Sequence, residues 1–561
     1  MATATYHNIL KQIREDFPRP TSDPRHDAYL VFSILRALDQ VDAMKSEAPF
    51  LAKDHHQDHE AAQEMQLPDD IADVEKVTQL LVSQLHGMPV WGHPYSQMNV
   101  VAPPSIPSII GSLLPAIYNP NLVSDDSSCG VGMAEVNVTA MVSSLIGYDP
   151  AEATGVFTFG GTGTLLYGLK LGIEKAFPGA MTNGVGQNGI ILTSSQSHHC
   201  RLNVAGWLGL GEKNVIEVPT DFQNGMQIDQ LETVARQAIE NGKKIVALVA
   251  TMGTTDALGI DDLEAIWLLR NQLVDEYKLD YSPHIHADAV IGWAWSVFND
   301  YDFEKNELGF RPRTLRALAT ACRRVSKLHR ADSVGIDFHK TGFAPYVSSL
   351  FLVRARQEMQ RLARRRDETP YLFQTGERHP GLYTLETSRS GGSVLAAYAN
   401  LHLFGKTGMR TVLGHIVEMA ELLREHLEKC ESTIVLNSGN VGPATLFRVY
   451  PDGVDTGTIL ERERSDPAAR DELRRHNSYN RQIFETLREQ AMQGRAVHIS
   501  MTSSYRKTDY GEPIVGLKSF VLSPFIDSQH VELVVQNVLE AKKVVAGRNQ
   551  SRRPGVAVGG L

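Results

Sequence analysis

From about residue 130 the chain alternates between two hydrophobic rhythms. Short apolar runs, Gly189-Ile190-Ile191-Leu192-Thr193, Ile245-Val246-Ala247-Leu248-Val249-Ala250, His284-Ile285-His286-Ala287-Asp288 and Ser349-Leu350-Phe351-Leu352-Val353, lack the alternation of a strand with one wet face. They predict short strands buried on both faces. Longer stretches, among them Val131 to Ile146 and Thr164 to Phe177, predict helices, and Val156 to Gly161 predicts a strand running into a turn. Strands separated by helices predict an α/β architecture, a largely parallel sheet covered on both faces. Helices are expected at Gly392 to Leu403 and His415 to Leu427, then mixed strands and helices from about 430. The divisions this predicts are an N-terminal helical segment with a dimer-crossing loop (1–105), a large domain (106–405), a smaller C-terminal α+β domain (406–546) and a frayed tail (547–561).

Composition narrows the class. The 561 residues are 42% apolar and 21% charged, which is globular, and the formal charge of -10 gives no footprint for nucleic acid. Cys129, Cys200, Cys322 and Cys430 are widely spaced with no CxxC pair, arguing against a disulfide framework or structural zinc. A reduced, cytoplasmic protein is expected. No apolar run approaches the roughly 18 residues of a membrane span, and the N-terminus lacks the pattern of a secretory signal. The patch Asp54-His55-His56-Gln57-Asp58-His59-Glu60 looks metal-like but has no helical spacing of ligands, so it reads as an exposed loop and no metal is expected. Trp91 to Pro104 is too rich in Pro and Gly for a regular element and too aromatic for free solvent, so it should pack against a site or a partner subunit.

Chemistry-bearing residues fall at the ends of the expected strands. Gly160-Gly161-Thr162-Gly163-Thr164 lies between strand and helix, where glycines admit close backbone approach and a helix start offers free N–H groups to an anion; a purely structural turn is about as consistent. Asp288 closes an apolar strand, where a buried carboxylate needs a cation or caps the next helix. His198 follows another strand and could stack on an aromatic ligand, and Thr254, in Thr251-Met252-Gly253-Thr254-Thr255, adds donors at the same edge. Lys340 follows the apolar run from Ala331 to Phe338. Desolvation and neighbouring cations are expected to leave its amine partly neutral and nucleophilic towards a carbonyl. A phosphate cradle, a stackable imidazole, a carboxylate for a ring nitrogen and a Schiff-base lysine together describe a site for pyridoxal 5′-phosphate.

The order Gly-rich turn, His, Asp, Lys resembles the pyridoxal-phosphate-dependent group II amino acid decarboxylases, of the aspartate-aminotransferase-like fold type I, from about Trp91 to Asp527. Asp337-Phe338-His339-Lys340-Thr341-Gly342-Phe343-Ala344-Pro345-Tyr346 is similar to the Asp-Pro-His-Lys pattern of bacterial tyrosine decarboxylases and their archaeal tyrosine/aspartate relatives, as are Tyr371-Leu372-Phe373, Leu382 to Glu386 and Thr508 to Gly511. Phe338, Val290 and Arg389 depart from the usual Pro, Ala and Lys. The resemblance implies Lys340 as the cofactor lysine, Asp288 on the pyridine nitrogen and His198 on the ring face. It also implies Gly161, Thr162, Gly163, Thr254 and His339 around the cofactor, Arg389 on the substrate α-carboxylate, and Tyr95 and Asn99 towards the substrate. Tyr383 is implied as the acid that returns a proton after a loop closes. A homodimer making an amine and carbon dioxide from an L-amino acid is implied, most readily an aromatic one such as L-tyrosine. L-aspartate, L-glutamate, or transamination and aldehyde-forming chemistry on the same fold are the alternatives.

Overall fold

The computed structural model describes residues 6–52, 57–365, 368 and 375–551. The expected loop at 54–60 lies partly, and Tyr371-Leu372-Phe373 wholly, outside them. Twelve strands are described: β1 (Ser96–Gln97), β2 (Thr154–Thr158), β3 (Gly189–Ser194), β4 (Val215–Val218), β5 (Lys244–Thr251), β6 (His284–Asp288), β7 (Ser333–Asp337), β8 (Ser349–Val353), β9 (Thr433–Val435), β10 (Ala444–Val449), β11 (His498–Lys507) and β12 (Pro513–Phe520).

Seven of them form the large sheet in the order β2-β8-β7-β6-β5-β3-β4. β8 runs antiparallel to both neighbours and the other six run parallel. Side chains alternate across it as a pleat requires. Leu350 and Leu352 enter the main core with Val334, Ile336 and the helices Asp125–Ile146 and Gly392–Glu428, whereas Phe351 and Val353 pack with Val156, Tyr167 and Leu171. The helix Gly161–Ala176 lies very close to the sheet, because a Cβ on Gly172 would stand 2.4 Å from the carbonyl oxygen of Val246. Every parallel strand therefore delivers its C-terminal end to one edge. There Thr158 leads to the Gly160 turn, Ser194 to His198, and Thr251 pairs with Asp288, one strand over from β7 and Lys340.

Several elements differ from expectation. β4 was not anticipated; its inner residues are part-exposed, so it carries no continuous apolar run. The two helices expected at 392–403 and 415–427 are one, Gly392–Glu428, broken at Gly405 (φ 50°, ψ -165°), so it spans the expected boundary at 405. The tail expected from 547 begins inside the helix Ser528–Ser551. Trp91 to Pro104 contains β1, which pairs in parallel with β11 and joins the second sheet, β1-β11-β12-β10-β9. Val100 and Ala102 are buried in the main core, and Ser105 N–H donates to Phe343 O at 3.1 Å. This segment thus ties the C-terminal sheet to the turn carrying Lys340. Among the described residues one helix, Asp125–Ile146, is long and apolar enough to cross a membrane; it packs on β2 and Gly392–Glu428 and carries the fully buried Glu135.

Candidate active site

The cradle forms where β2 turns into the helix Gly161–Ala176. Gly160 takes φ 100°, a conformation that favours glycine, and the first helical N–H groups, of Gly161 and Thr162, have no acceptor within the helix. A Cβ on Gly161 would stand 3.0 Å from Val290 and 3.1 Å from Asp337 Oδ2, so only glycine leaves this floor open. Thr162 stands beside the Cys200 thiol, so the cradle adjoins the His198 segment.

The turn bearing Lys340 is pinned from several sides. Trp293 Nε1 donates to Asp337 O (3.2 Å), Thr341 Oγ1 to Ile291 O (2.7 Å), and Asn400 Nδ2 to Gly342 O and Phe343 O (both 2.7 Å). Such multiple fixing holds Lys340 at the strand-end edge. Its surroundings correct the sequence reading, which placed cations there. Lys340 Nζ lies 2.8 Å from Asp337 Oδ2. Burial opposes the ammonium, but Asp337, with Asp288 and Tyr346 adding, holds the Lys340 pKa above the usual lysine value. The amine is therefore charged at rest. Ser349 Oγ donates to the other oxygen of Asp337 (2.6 Å), and His339 Nε2 stands 3.5 Å from Oδ2 while Ser348 holds Nδ1.

Asp288 is 8% exposed, and its Oδ1 is a buried acceptor without a hydrogen-bond partner. Burial pushes its carboxyl up to about 6; Lys340 opposes this and Asp337 adds to it. His198 is exposed in the single chain yet crowded on its inner side. Desolvation there, with His199 and Lys340, lowers its pKa and keeps the imidazole neutral. The structure thus brings together Gly161, Thr162, Gly163, His198, Asp288, His339 and Lys340.

Other expected residues stand elsewhere. The Thr254 hydroxyl accepts from Gly259 N–H at 2.8 Å and closes its own turn. Tyr95 packs its ring on His93 and His530, and Asn99 is exposed with φ 49°. Arg389 forms a two-pronged pair with Glu135 and also donates to Phe157 O and Leu122 O. Glu135 further accepts from Arg378 (2.6 Å) and from Phe157 N–H (2.9 Å). Phe157 lies on β2, the edge strand, so this cluster satisfies backbone groups the sheet leaves unpaired. Tyr383 packs with Tyr167 and Phe351 and lines a cavity with Thr154 and Gly155, at the end of β2 remote from the cradle. Its segment is moored by Asp125, which accepts from Glu377 and Arg378 N–H, and by Glu386, which accepts from Thr158 (2.6 Å) and Tyr167. Asp337 and Glu135 were not singled out from sequence. An acid three residues before the lysine, and a lone carboxylate in an apolar helix that must find a cation, were the available signals.

A model of the pyridoxal-dependent decarboxylase conserved domain matches residues 54–449. The chain belongs to the pyridoxal-dependent decarboxylase family. It is 29% identical over 282 residues to an L-2,4-diaminobutyrate decarboxylase of Rhizobium meliloti, half of each chain, and the alignment thus spans about half the length of that relative. An L-tyrosine decarboxylase of Enterococcus faecium is 26% identical over 43% of this chain and 41% of its own. The glutamate decarboxylase domain of a two-function protein from Vibrio parahaemolyticus shares the fold, with TM-score 0.71, 19% identity, and coverage of 95% of this chain and 99% of that one. The fold is thus the fold type I expected of the family. The residues present fit its cofactor, pyridoxal phosphate: the open floor at Gly161 suits a phosphate, and the orphaned Asp288 oxygen suits a protonated ring nitrogen.

Proposed function

We propose that this chain decarboxylates an L-amino acid to its amine, with an aromatic substrate such as L-tyrosine preferred. The observation that carries the preference is Arg389. Closed on Glu135 at the sheet edge, it offers no ready cation for an acidic side chain, while Phe159, Tyr346 and Val347 expose apolar surface around the cradle. The tyrosine-type pattern around Lys340 and the Enterococcus relative support the same reading. L-aspartate and L-glutamate remain the runner-up substrates.

The family's cofactor, when bound, supplies the electron sink for the pair released as the Cα–carboxylate bond breaks. The chain's own residues hold and orient. Gly161 and Thr162 would hold the phosphate through the backbone N–H groups the helix leaves free, with Gly163 N–H closing the turn on Gly160 O. Asp288 would keep a proton on the ring nitrogen, His198 would offer a neutral face, and Lys340 would be the attachment point that yields to the substrate amine. Tyr383 is proposed to return the proton to Cα. Burial raises its pKa, so the phenol keeps its proton, but its segment must leave the Asp125 and Glu386 moorings to reach a lysine.

Assembly as a homodimer is supported by uncovered apolar faces. The helix Pro24–Asp42 has no buried residue and exposes Val31, Leu35 and Leu38 along one side, and Ile106–Tyr118 exposes Ile106, Ile109, Ile110 and Leu113. Sedimentation should give a dimer. The four cysteines are unpaired, which supports a reducing compartment such as the cytoplasm.

Carbon dioxide release from L-tyrosine, L-DOPA, L-aspartate, L-glutamate and L-2,4-diaminobutyrate tests the reading. Aromatic substrates should turn over best; inert aromatics with turnover of any other member would overturn the preference. In the same assay Tyr383→Phe should cut amine formation by at least roughly 10²-fold, the usual loss of a positioned acid, and divert product to aldehyde. An unchanged amine-to-aldehyde ratio removes Tyr383 from the mechanism and makes His198 the next candidate for proton return.

A further inference from the structure

Asp337 has no task in the scheme above. It is 1% exposed, its Oδ2 touches Lys340 Nζ at 2.8 Å, and the same oxygen would lie 3.1 Å from a Cβ on Gly161. The carboxylate therefore fills the space between the phosphate cradle and the lysine. In pyridoxal phosphate the phosphate arm and the aldehyde are carried on neighbouring ring carbons, so an acid in that space is beside the aldehyde. This inference rests on the cofactor reading.

We propose that Asp337 is the proton-transfer group for attachment of the cofactor to Lys340. An ammonium has no lone pair to give, and this one is held charged by its surroundings. Asp337 Oδ2 takes one Nζ proton, and the freed lone pair forms the bond to the aldehyde carbon as the carbonyl π pair moves onto oxygen. A second Nζ proton passes to that oxygen, Asp337 returns the first, and the oxygen leaves as water while nitrogen's remaining pair closes the carbon–nitrogen double bond. Ammonium and aldehyde have become a protonated imine and water, and Asp337 is again a carboxylate. No redox partner is needed.

The other groups facing Lys340 are less well placed. Asp288, from β6, has its free oxygen committed to the ring nitrogen in the cofactor reading. His339 directs Nε2 at Asp337, His198 is pushed towards neutrality by desolvation, with His199 and the lysine's own charge adding, and Tyr346 is an exposed phenol. Asp337 is the one whose carboxylate lies 2.8 Å from Nζ, and Ser349 fixes its orientation.

The test is the rate at which cofactor-free protein attaches added pyridoxal phosphate, followed by the visible band and by borohydride-fixed label on Lys340. Wild type should attach it at a rate nearly flat across neutral pH, because its base is built in. Asp337→Asn should be slower by roughly 10²-fold and should accelerate about tenfold per pH unit, since solvent must now deprotonate the amine. Its affinity for 4′-deoxypyridoxine phosphate, which has neither the aldehyde nor an amine to pair with Asp337, should change far less than the attachment rate. Asp337→Glu should restore the flat profile. Wild-type rate and flat pH dependence in Asp337→Asn would overturn the proposal. If the Asn protein does not fold, a steep profile in Asp337→Glu overturns it and a flat one supports it. Wild type that forms no band at all would sink the cofactor reading instead.

Discussion

Lys340→Arg is expected to preserve the fold and abolish the reaction. Arginine keeps a cation beside Asp337 and Asp288, so the buried carboxylates remain paired, but a guanidinium does not surrender a proton to become a nucleophilic amine. The visible band should be absent and borohydride should fix no label. Decarboxylation should fall by more than about 10⁴-fold, a large part of the 10⁶-fold or greater acceleration typical of enzymes. Lys340→Ala should be as inactive and also less stable. It leaves Asp337 and Asp288 facing each other without a counter-ion, and breaking a buried pair costs roughly 3–5 kcal/mol. Comparing denaturant melts of the two cofactor-free variants separates charge from chemistry. A persistent band or near-normal turnover in Lys340→Arg would show that the cofactor is attached elsewhere.

The large sheet was legible because β3, β5, β6 and β8 are buried on both faces and so read as continuous apolar runs. What such runs cannot carry is direction, and the antiparallel setting of β8 is set by pairing alone. β1, two residues long, has no pattern to read and exists because β11 offers it an edge. The same contrast holds in the site. Thr162, His198, Asp288 and Lys340 could be grouped because parallel strands deliver their ends to one edge, whatever lies between them in sequence. Arg389 could not be placed, because what positions it is Glu135, 254 residues earlier, and the free edge of β2. The charge state of Lys340 was misjudged for a related reason. Cations near the lysine were expected from its chain neighbours, whereas the fold sets Asp337 against it and brings Asp288 from the adjacent strand.

Asp288→Asn should stabilise the cofactor-free protein as pH rises and destabilise the loaded one. Burial, with Asp337 adding and Lys340 opposing, moves the Asp288 pKa from 3.8 to about 6. An acid with a raised folded pKa favours the folded state in its protonated form, so this contribution is present at low pH and lost as pH rises through about 6. A shift of about two units corresponds to about 3 kcal/mol. Asparagine does not titrate, and any constant packing cost it brings is the same at every pH. The difference in unfolding free energy between variant and wild type, without cofactor, should therefore move by up to about 3 kcal/mol in favour of the variant between about pH 4 and pH 8. Adding pyridoxal phosphate at the higher pH should reverse the order, because the orphaned Asp288 oxygen then meets a cationic ring nitrogen that asparagine cannot neutralise. Denaturant melts at the two pH values, with and without cofactor, give all four numbers. A gap that ignores pH would mean Asp288 ionises without penalty, and a gap that ignores the cofactor would mean that the carboxylate never faces its ring.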